Sequence, residues 1–210
     1  VKIGYQASLK LLRAGAHVIA TTRFPVDSAA RYAREPDYAA FRDRLQIHGL
    51  DLRHTPSVEV FARSLLERLP RLDYILNNAC QTVRRPAGWF RHLLEAESRP
   101  FESLPADWRR TLSVHAELCR SLAGAAPRDT TASDSTGAMP ALRGLPAMEG
   151  LVHSAALSQR RYLDEDFHDG DALFPAGSYD EDRQQVDLRE TNSWRLRLHE
   201  VEIAELLEVQ

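Results

Sequence analysis

"LDYILNNAC", residues 72–80, is the stretch on which the reading of the fold turns. Leu72 to Leu76 is short and apolar with a central aromatic, the composition of a strand. It runs directly into two asparagines, so the strand ends where polar side chains begin. In an open α/β sheet, ligands gather beyond the carboxyl ends of the strands. Residues 77–80 therefore rank as a candidate site as soon as other strands are found to lie parallel to this one.

Working upstream, the same alternation repeats. Thr55-Pro56 reads as an N-cap followed by a proline at the first helical position. The helix it opens places Val58, Phe61 or Ala62, Leu65 and Leu69 on one face. Leu45 to Leu50 reads as a second strand, ending at Asp51. Asp27 is a candidate cap for a helix from Ser28 to about Arg44, with Pro36 disturbing its middle. His17 to Thr22 is short and β-branched, another strand. Tyr5, Leu9 and Leu12 recur at helical spacing, and Gly15 follows as a stop. Helix and strand alternate three times over eighty residues, which predicts an α/β fold with a parallel sheet and covering helices. The strand-end loops are then Thr22-Arg23, Asp51-Leu52 and Asn77-Asn78-Ala79-Cys80.

Beyond residue 84 the alternation stops. Residues 84–190 contain helix-like pieces, the best at 106–123, and no convincing strand. Residues 124–148 are rich in Gly, Ala, Pro, Ser and Thr and predict a mobile linker. An amphipathic pattern resumes at 199–210. Three regions follow: an α/β region at 1–83, a long mostly helical or irregular insertion at 84–190, and a resumed helical pattern at 191–210. Trp89, Phe90, Trp108 and Trp194 are expected to pack the insertion onto the rest.

Composition narrows the chemistry. The 210 residues carry a net charge of −3, with no basic excess to suggest nucleic acid. No apolar run approaches the ~18 residues of a membrane span. Cys80 and Cys119 lie far apart without ligand spacing, which suits a reducing compartment and predicts a cytoplasmic protein. Of 27 basic residues only Lys2 and Lys10 are lysines, so lysine chemistry beyond residue 10 is excluded from this chain. The eight histidines show neither HxH nor HxxxH spacing. The acidic cluster around 164–171 lacks the alternation of a calcium loop and reads as a solvated loop.

At "KIG" (2–4), "VIATTR" (18–23), "LDL" (50–52) and "NNAC" (77–80) the chain resembles the short-chain dehydrogenase/reductase family. The resemblance covers residues 1 to about 83 and resumes near 185. It implies a truncated Rossmann-type doubly wound parallel sheet, with a partial dinucleotide-binding region at 1–83 that resumes at 191–210. Lys2, Ile3 and Gly4 take the last positions of the family's glycine loop, where a helix N-terminus meets pyrophosphate. Lys2 stands where the family has glycine and either holds phosphate or is a surface lysine. Thr22 and Arg23 fall at the adenine ribose, where NAD-preferring members carry an acid; a hydroxyl and a guanidinium favour NADP(H) over NAD(H). Asp51 and Leu52 match the positions that meet adenine. Asn77 corresponds to a residue that steadies the sheet, and Asn78 and Ala79 to backbone facing the ribose. Cys80 replaces a glycine.

The function so implied is hydride transfer to or from a small carbonyl or alcohol, without nucleic acid or membrane partners. Homo-oligomerisation of the full-length protein is compatible with it. The family's Tyr-x-x-x-Lys cannot occur here, so the catalytic Asn, Ser and Tyr-x-x-x-Lys are expected beyond Gln210. Tyr179-x-x-x-Arg183 mimics the spacing within loop composition. The alternative is a non-catalytic Rossmann-type nucleotide-binding or partner-binding module. The alignment also places the family's first strand ahead of Val1. Its absence is expected to leave 17–22 and 72–76 about 10 Å apart, two strand spacings. On that basis 17–22 pairs in parallel with 45–50, and 72–76 pairs with neither.

Overall fold

The computed structural model describes residues 2–79, 85–124, 148–157, 172–181, 184–189 and 197–200. Its first helix, α1, spans Lys2–Arg13 and turns Leu9 and Leu12 fully inward. Gly15, at φ 92°, adopts the left-handed conformation that closes it. The Gly15 N–H donates to the Leu12 carbonyl and the Ala16 N–H to that of Leu11, the paired bonds of a Schellman end.

Strand β1 (Val18–Thr22) follows, and β2 (Leu45–Gly49) pairs with it in parallel. Val18 lies opposite Leu45 and Thr22 opposite Gly49, so both strands end at the same level. The helix expected between them over Ser28 to Arg44 is in fact several pieces. α2 spans Pro25–Tyr32, α3 spans Tyr38–Phe41, and a 3-10 turn covers Arg42–Arg44. Pro36, which has no N–H and crowds the preceding turn, accounts for the break. Asp27 is not the cap. Pro25 already sits at the start of α2, leaving Asp27 in the first turn, paired with Arg31 at 3.1 Å. Helix α4 (Thr55–Arg68) starts one residue earlier than expected, with His54 at the cap position.

The third expected strand does not form. Residues 69–79 contain neither helix nor strand, and Leu72, Tyr74, Ile75 and Leu76 are exposed, Tyr74 by 90%. A strand is stabilised by its ladder and by cross-strand packing, and among the described residues no strand pairs with this one. Among the described residues the sheet has two strands, ordered β1-β2. The expected pairing of 17–22 with 45–50 is present, and 72–76 pairs with neither strand.

The described parts of 84–190 are built into the same core. After a 3-10 turn at Ala87–Phe90 come α5 (Arg91–Glu97) and a second turn at Phe101–Ser103. Then α6 (Ala106–Gly124) lies along β2 and α2. Leu104 and Leu112 join Leu9, Leu12, Tyr32, Phe41 and Ile47 in one cluster. A second cluster stacks Phe24 on Phe90 at 5.3 Å, beside Trp89 and Phe174. There the Trp89 indole N–H donates to the Gln185 carbonyl at 2.8 Å. The expected tryptophan packing is therefore seen for Trp89 and Trp108, while Trp194 lies outside the described residues. Two one-turn helices, α7 (Glu149–Val152) and α8 (Ser154–Leu157), complete the main body.

The result is a mixed α/β fold, a small parallel sheet among many helices. Of the expected linker only residues 124 and 148 are described, and of 191–210 only 197–200. The acidic cluster at 164–171 also lies outside the described residues.

Two substitutions separate core from exposed strip. Ile47→Ala is expected to cost about 2–5 kcal/mol in urea denaturation, because Ile47 is fully buried. Ile75→Lys should leave the urea midpoint unchanged while lowering light scattering at high concentration, since it interrupts an exposed apolar run.

Candidate functional site

Because Thr22 and Gly49 are register partners, the loops after β1 and β2 begin side by side. The Leu50 N–H donates to the Thr22 carbonyl at 2.8 Å, extending the pairing by one bond. Thr22 uses its hydroxyl locally: Oγ1 accepts the Phe24 N–H at 3.1 Å and helps turn the chain into α2. The Arg23 guanidinium lies 5.2 Å from the Phe90 ring centre and 5.7 Å from that of Phe24, at cation–π distance from both.

Asp51 is buried, and its carboxylate is held by one neighbour. Arg53 donates to it from its backbone N–H at 3.0 Å, from Nε at 2.9 Å and from Nη2 at 2.5 Å. Burial alone would raise this carboxyl, but the Arg53 contacts, with the charge of Arg23 adding, outweigh it. Asp51 stays below the usual carboxylate range. Leu52 is half exposed.

Residues 148–157 cover these strand ends. The Asp51 N–H donates to the Gly150 carbonyl at 2.8 Å, and the Gly150 N–H donates to Ser57 Oγ at 2.9 Å. The Ser57 hydroxyl also lies 2.7 Å from His54 Nδ1. Leu151 is fully buried against Leu50 and Phe61. Ser154 donates its hydroxyl to the Arg23 carbonyl at 3.0 Å.

The other sequence-predicted residues lie at α1. Ile3 is exposed, and Lys2 opens the helix. Gly4 is in its first turn, and a Cβ built there would come within 2.7 Å of Asn78 Nδ2. Gly4 and Asn78, 74 residues apart in sequence, are thus in contact in space. Asn77 and Ala79 are exposed, and Asn77 has no third strand beside it to steady. Cys80 lies outside the described residues. An open hollow of about 400 Å³ runs along α1, lined by Ile3, Gln6, Ala7 and Lys10. Tyr179 is half exposed, its ring centre 5.5 Å from that of His92; Arg183 lies outside the described residues.

Two features were missed by sequence reasoning. Glu97, from α5, accepts the backbone N–H groups of Val26 at 3.1 Å and Asp27 at 2.9 Å. Its carboxylate therefore sits on the positive end of α2, beside Arg23 in the chain. Burial pushes it up to about 7 despite those two donors, and the Asp27 charge adds to the rise. The second is a buried pair of imidazoles. His48 is fully buried on β2, with neither ring nitrogen hydrogen-bonded among the described residues. Its ring lies 5.7 Å from that of His115, whose Nε2 is 3.7 Å from Cys119 Sγ. Burial pushes the Cys119 thiol up to about 11, which keeps it protonated and unreactive. Neither feature has a local sequence signature, since each joins elements more than 60 residues apart.

Among the described residues, no group of three or more His, Cys, Asp or Glu is placed to hold a metal ion. No described helix is long and apolar enough to cross a membrane. Among known proteins, the chain is similar to an uncharacterized protein of Acanthamoeba polyphaga mimivirus. The two are 37% identical over 109 residues, which cover 50% of this chain and 22% of the viral protein. The chain thus spans less than a quarter of that relative's length. No family model and no solved structure matches the chain.

The buried imidazoles set a pH dependence. His48 is held down to about 3 by burial first, then by His115 and Arg68, and His115 is held to about 4 by burial. Both are neutral in the fold, whereas in the unfolded chain each takes a proton near 6.5. Their contribution is therefore complete above pH 6.5 and is lost as pH falls from there toward 4 and then 3. Each unit of pH below 6.5 costs ~1.4 kcal/mol per histidine. Glu97 runs the other way, because its raised value favours the fold at low pH and loses that advantage as pH rises through 7. Parent and variant should therefore be compared directly. His48→Phe, which keeps an aromatic ring against Phe61, should lose about 1–1.5 kcal/mol less stability than the parent between pH 6.5 and 5.5. Urea midpoints at the two pH values provide the check, and equal losses would contradict it.

Proposed function

We propose that this chain is the cofactor-binding part of an NADP(H)-dependent oxidoreductase of the short-chain dehydrogenase/reductase type. It would transfer hydride to or from a small carbonyl or alcohol on a Rossmann-type sheet, in the cytoplasm. The observation that carries this reading is the contact between Gly4 and Asn78. Two motifs from opposite ends of the first eighty residues converge where a glycine leaves room for close approach. The parallel register of β1 and β2 supports it, because it sets Thr22-Arg23 and Asp51-Leu52 at neighbouring strand ends.

The N–H groups of the first turn of α1, around Ile3 and Gly4, would hold a pyrophosphate. Arg23, with Thr22, would hold the 2′-phosphate, and the backbone at Asn78 and Ala79 would face the ribose. The cofactor supplies the hydride; these residues bind and orient it. The fit is good at the α1 end and poor at the adenine end, where Leu151 fills the space beside Leu50.

That poor fit favours a second reading, a non-catalytic Rossmann-type module whose strand ends are closed by its own chain. Titration with NADPH and NADH separates the two. On the first reading NADPH binds more tightly, and Arg23→Ala removes most of the difference, about 1.5–3 kcal/mol for a charge-assisted contact. Equal affinities for the two cofactors in the parent would rule out the NADP(H) assignment. Binding of neither would favour the second reading.

Binding and turnover are separable here. The proton-transfer pair of the family is a tyrosine with a lysine four residues on, and this chain has no lysine after Lys10. The purified chain is therefore expected to show no NADPH oxidation with a panel of aldehydes and ketones between pH 6 and 9. Sustained turnover would contradict this.

A further inference from the structure

We propose that residues 148–157 are a displaceable plug, which must leave the strand ends before the adenosine half of a nucleotide can bind there. The inference rests on the cofactor-binding reading above and concerns how that site is controlled.

Three hydrogen bonds tie the segment to the strand-end loops and to the first turn of α4. Gly150 accepts from Asp51 and donates to Ser57, and Ser154 donates to the carbonyl of Arg23. Leu151 then buries itself against Leu50 and Phe61. Ligands of open α/β sheets bind at the carboxyl ends of strands, and at this sheet that position is filled by a leucine and a glycine.

The closeness of the seat depends on two residues without side chains. A Cβ on Gly150 would meet His54 Cβ at 2.8 Å and Ser57 Cβ at 3.0 Å. A Cβ on Gly49 would meet Ser154 Oγ at 2.8 Å and His115 Nε2 at 3.0 Å. The segment is therefore held by fit, and a single added methyl group on Gly150 is incompatible with it.

What lies under the segment is polar on one side only. Gly150 is bonded to Asp51 and Ser57, which are bonded in turn to Arg53 and His54, while Leu151 sits in an apolar cluster with Leu50 and Phe61. The polar side offers donors and acceptors to a hydrogen-bonding ligand. The segment itself consists of α7 and α8, each one turn of four residues. Helices of that length do not persist alone, so the segment holds its shape only while docked. A site open only part of the time binds its ligand more weakly by the open fraction. Loosening the plug should therefore tighten ligand binding, the reverse of what removing a binding residue does.

The test uses the whole chain and 2′,5′-ADP, the adenosine half of the cofactor with its 2′-phosphate. Affinity is measured by calorimetry, and amide hydrogen exchange is followed at Asp51, Gly150 and Leu151. Two variants are compared with the parent. Gly150→Val cannot seat, and Leu151→Ala weakens the seat while keeping the backbone fit, which covers the case in which the first fails to fold. The expected result is that 2′,5′-ADP speeds exchange at Gly150 and Leu151 in the parent and binds at least 10-fold more tightly to a variant.

If 2′,5′-ADP binds parent and variants equally while Gly150 and Leu151 stay protected, the plug is wrong and the cofactor reading stands. If exchange shows the segment released in a variant and still nothing binds, both fall together.

Discussion

The hydrogen bonds between β1 and β2 are the constraint on which the rest of the molecule depends. Their register sets Thr22 against Gly49, and every later placement follows from that level. Arg23 and Asp51 become neighbours only because both strands stop together. α6 follows β2, with Leu112 clustered with Leu45 and Ile47 and His115 set against His48. Shifting the register by one residue would turn Ile47 out and His48 to the opposite face, and would lose both arrangements at once.

His48 shows what that register costs. On a strand buried on both sides, its alternate position is also inside, and an imidazole there meets Phe61 and His115 and not water. The structure keeps it neutral and unbonded among the described residues, an expense that an apolar residue would avoid. The fully buried Thr111 faces no such cost, because its hydroxyl donates to the Trp108 carbonyl one turn back.

Much of the local structure was legible in the sequence, and the reasons differ by element. α1 and its stop could be read because Leu9, Leu12 and Gly15 carry period and punctuation within a dozen residues. β1, β2 and α6 were likewise placed to within a residue, each having a local signal. The misreadings arose where a neighbour decides. Leu72 to Leu76 has the composition of a strand, yet composition cannot supply the adjacent backbone, and the segment lies exposed. Asp27 looked like a cap because the start of α2 at Pro25 was set too late. At the candidate site the strand-end residues were identifiable from position alone. What covers them was not, because Gly150, Leu151 and Glu97 lie about 70–100 residues beyond the groups they touch and follow no motif.

The strip from Leu72 to Asn78 bears on association. It touches α1 through Asn78 at Gly4, while its apolar side chains upstream face solvent. Among the described residues it makes no ladder, so the entropy of fixing it as a strand has not yet been given up. Any backbone that came to lie beside it would have to meet that cost, ~1–2 kcal/mol for each residue ordered. Over five residues this consumes most of what new ladder bonds and apolar contacts return. Such an encounter would be selective for a good neighbour and indifferent to a poor one, and it would weaken steeply on warming as the entropic term grows. The strip is in this sense a filter on partners, its threshold set by the disorder it would have to surrender.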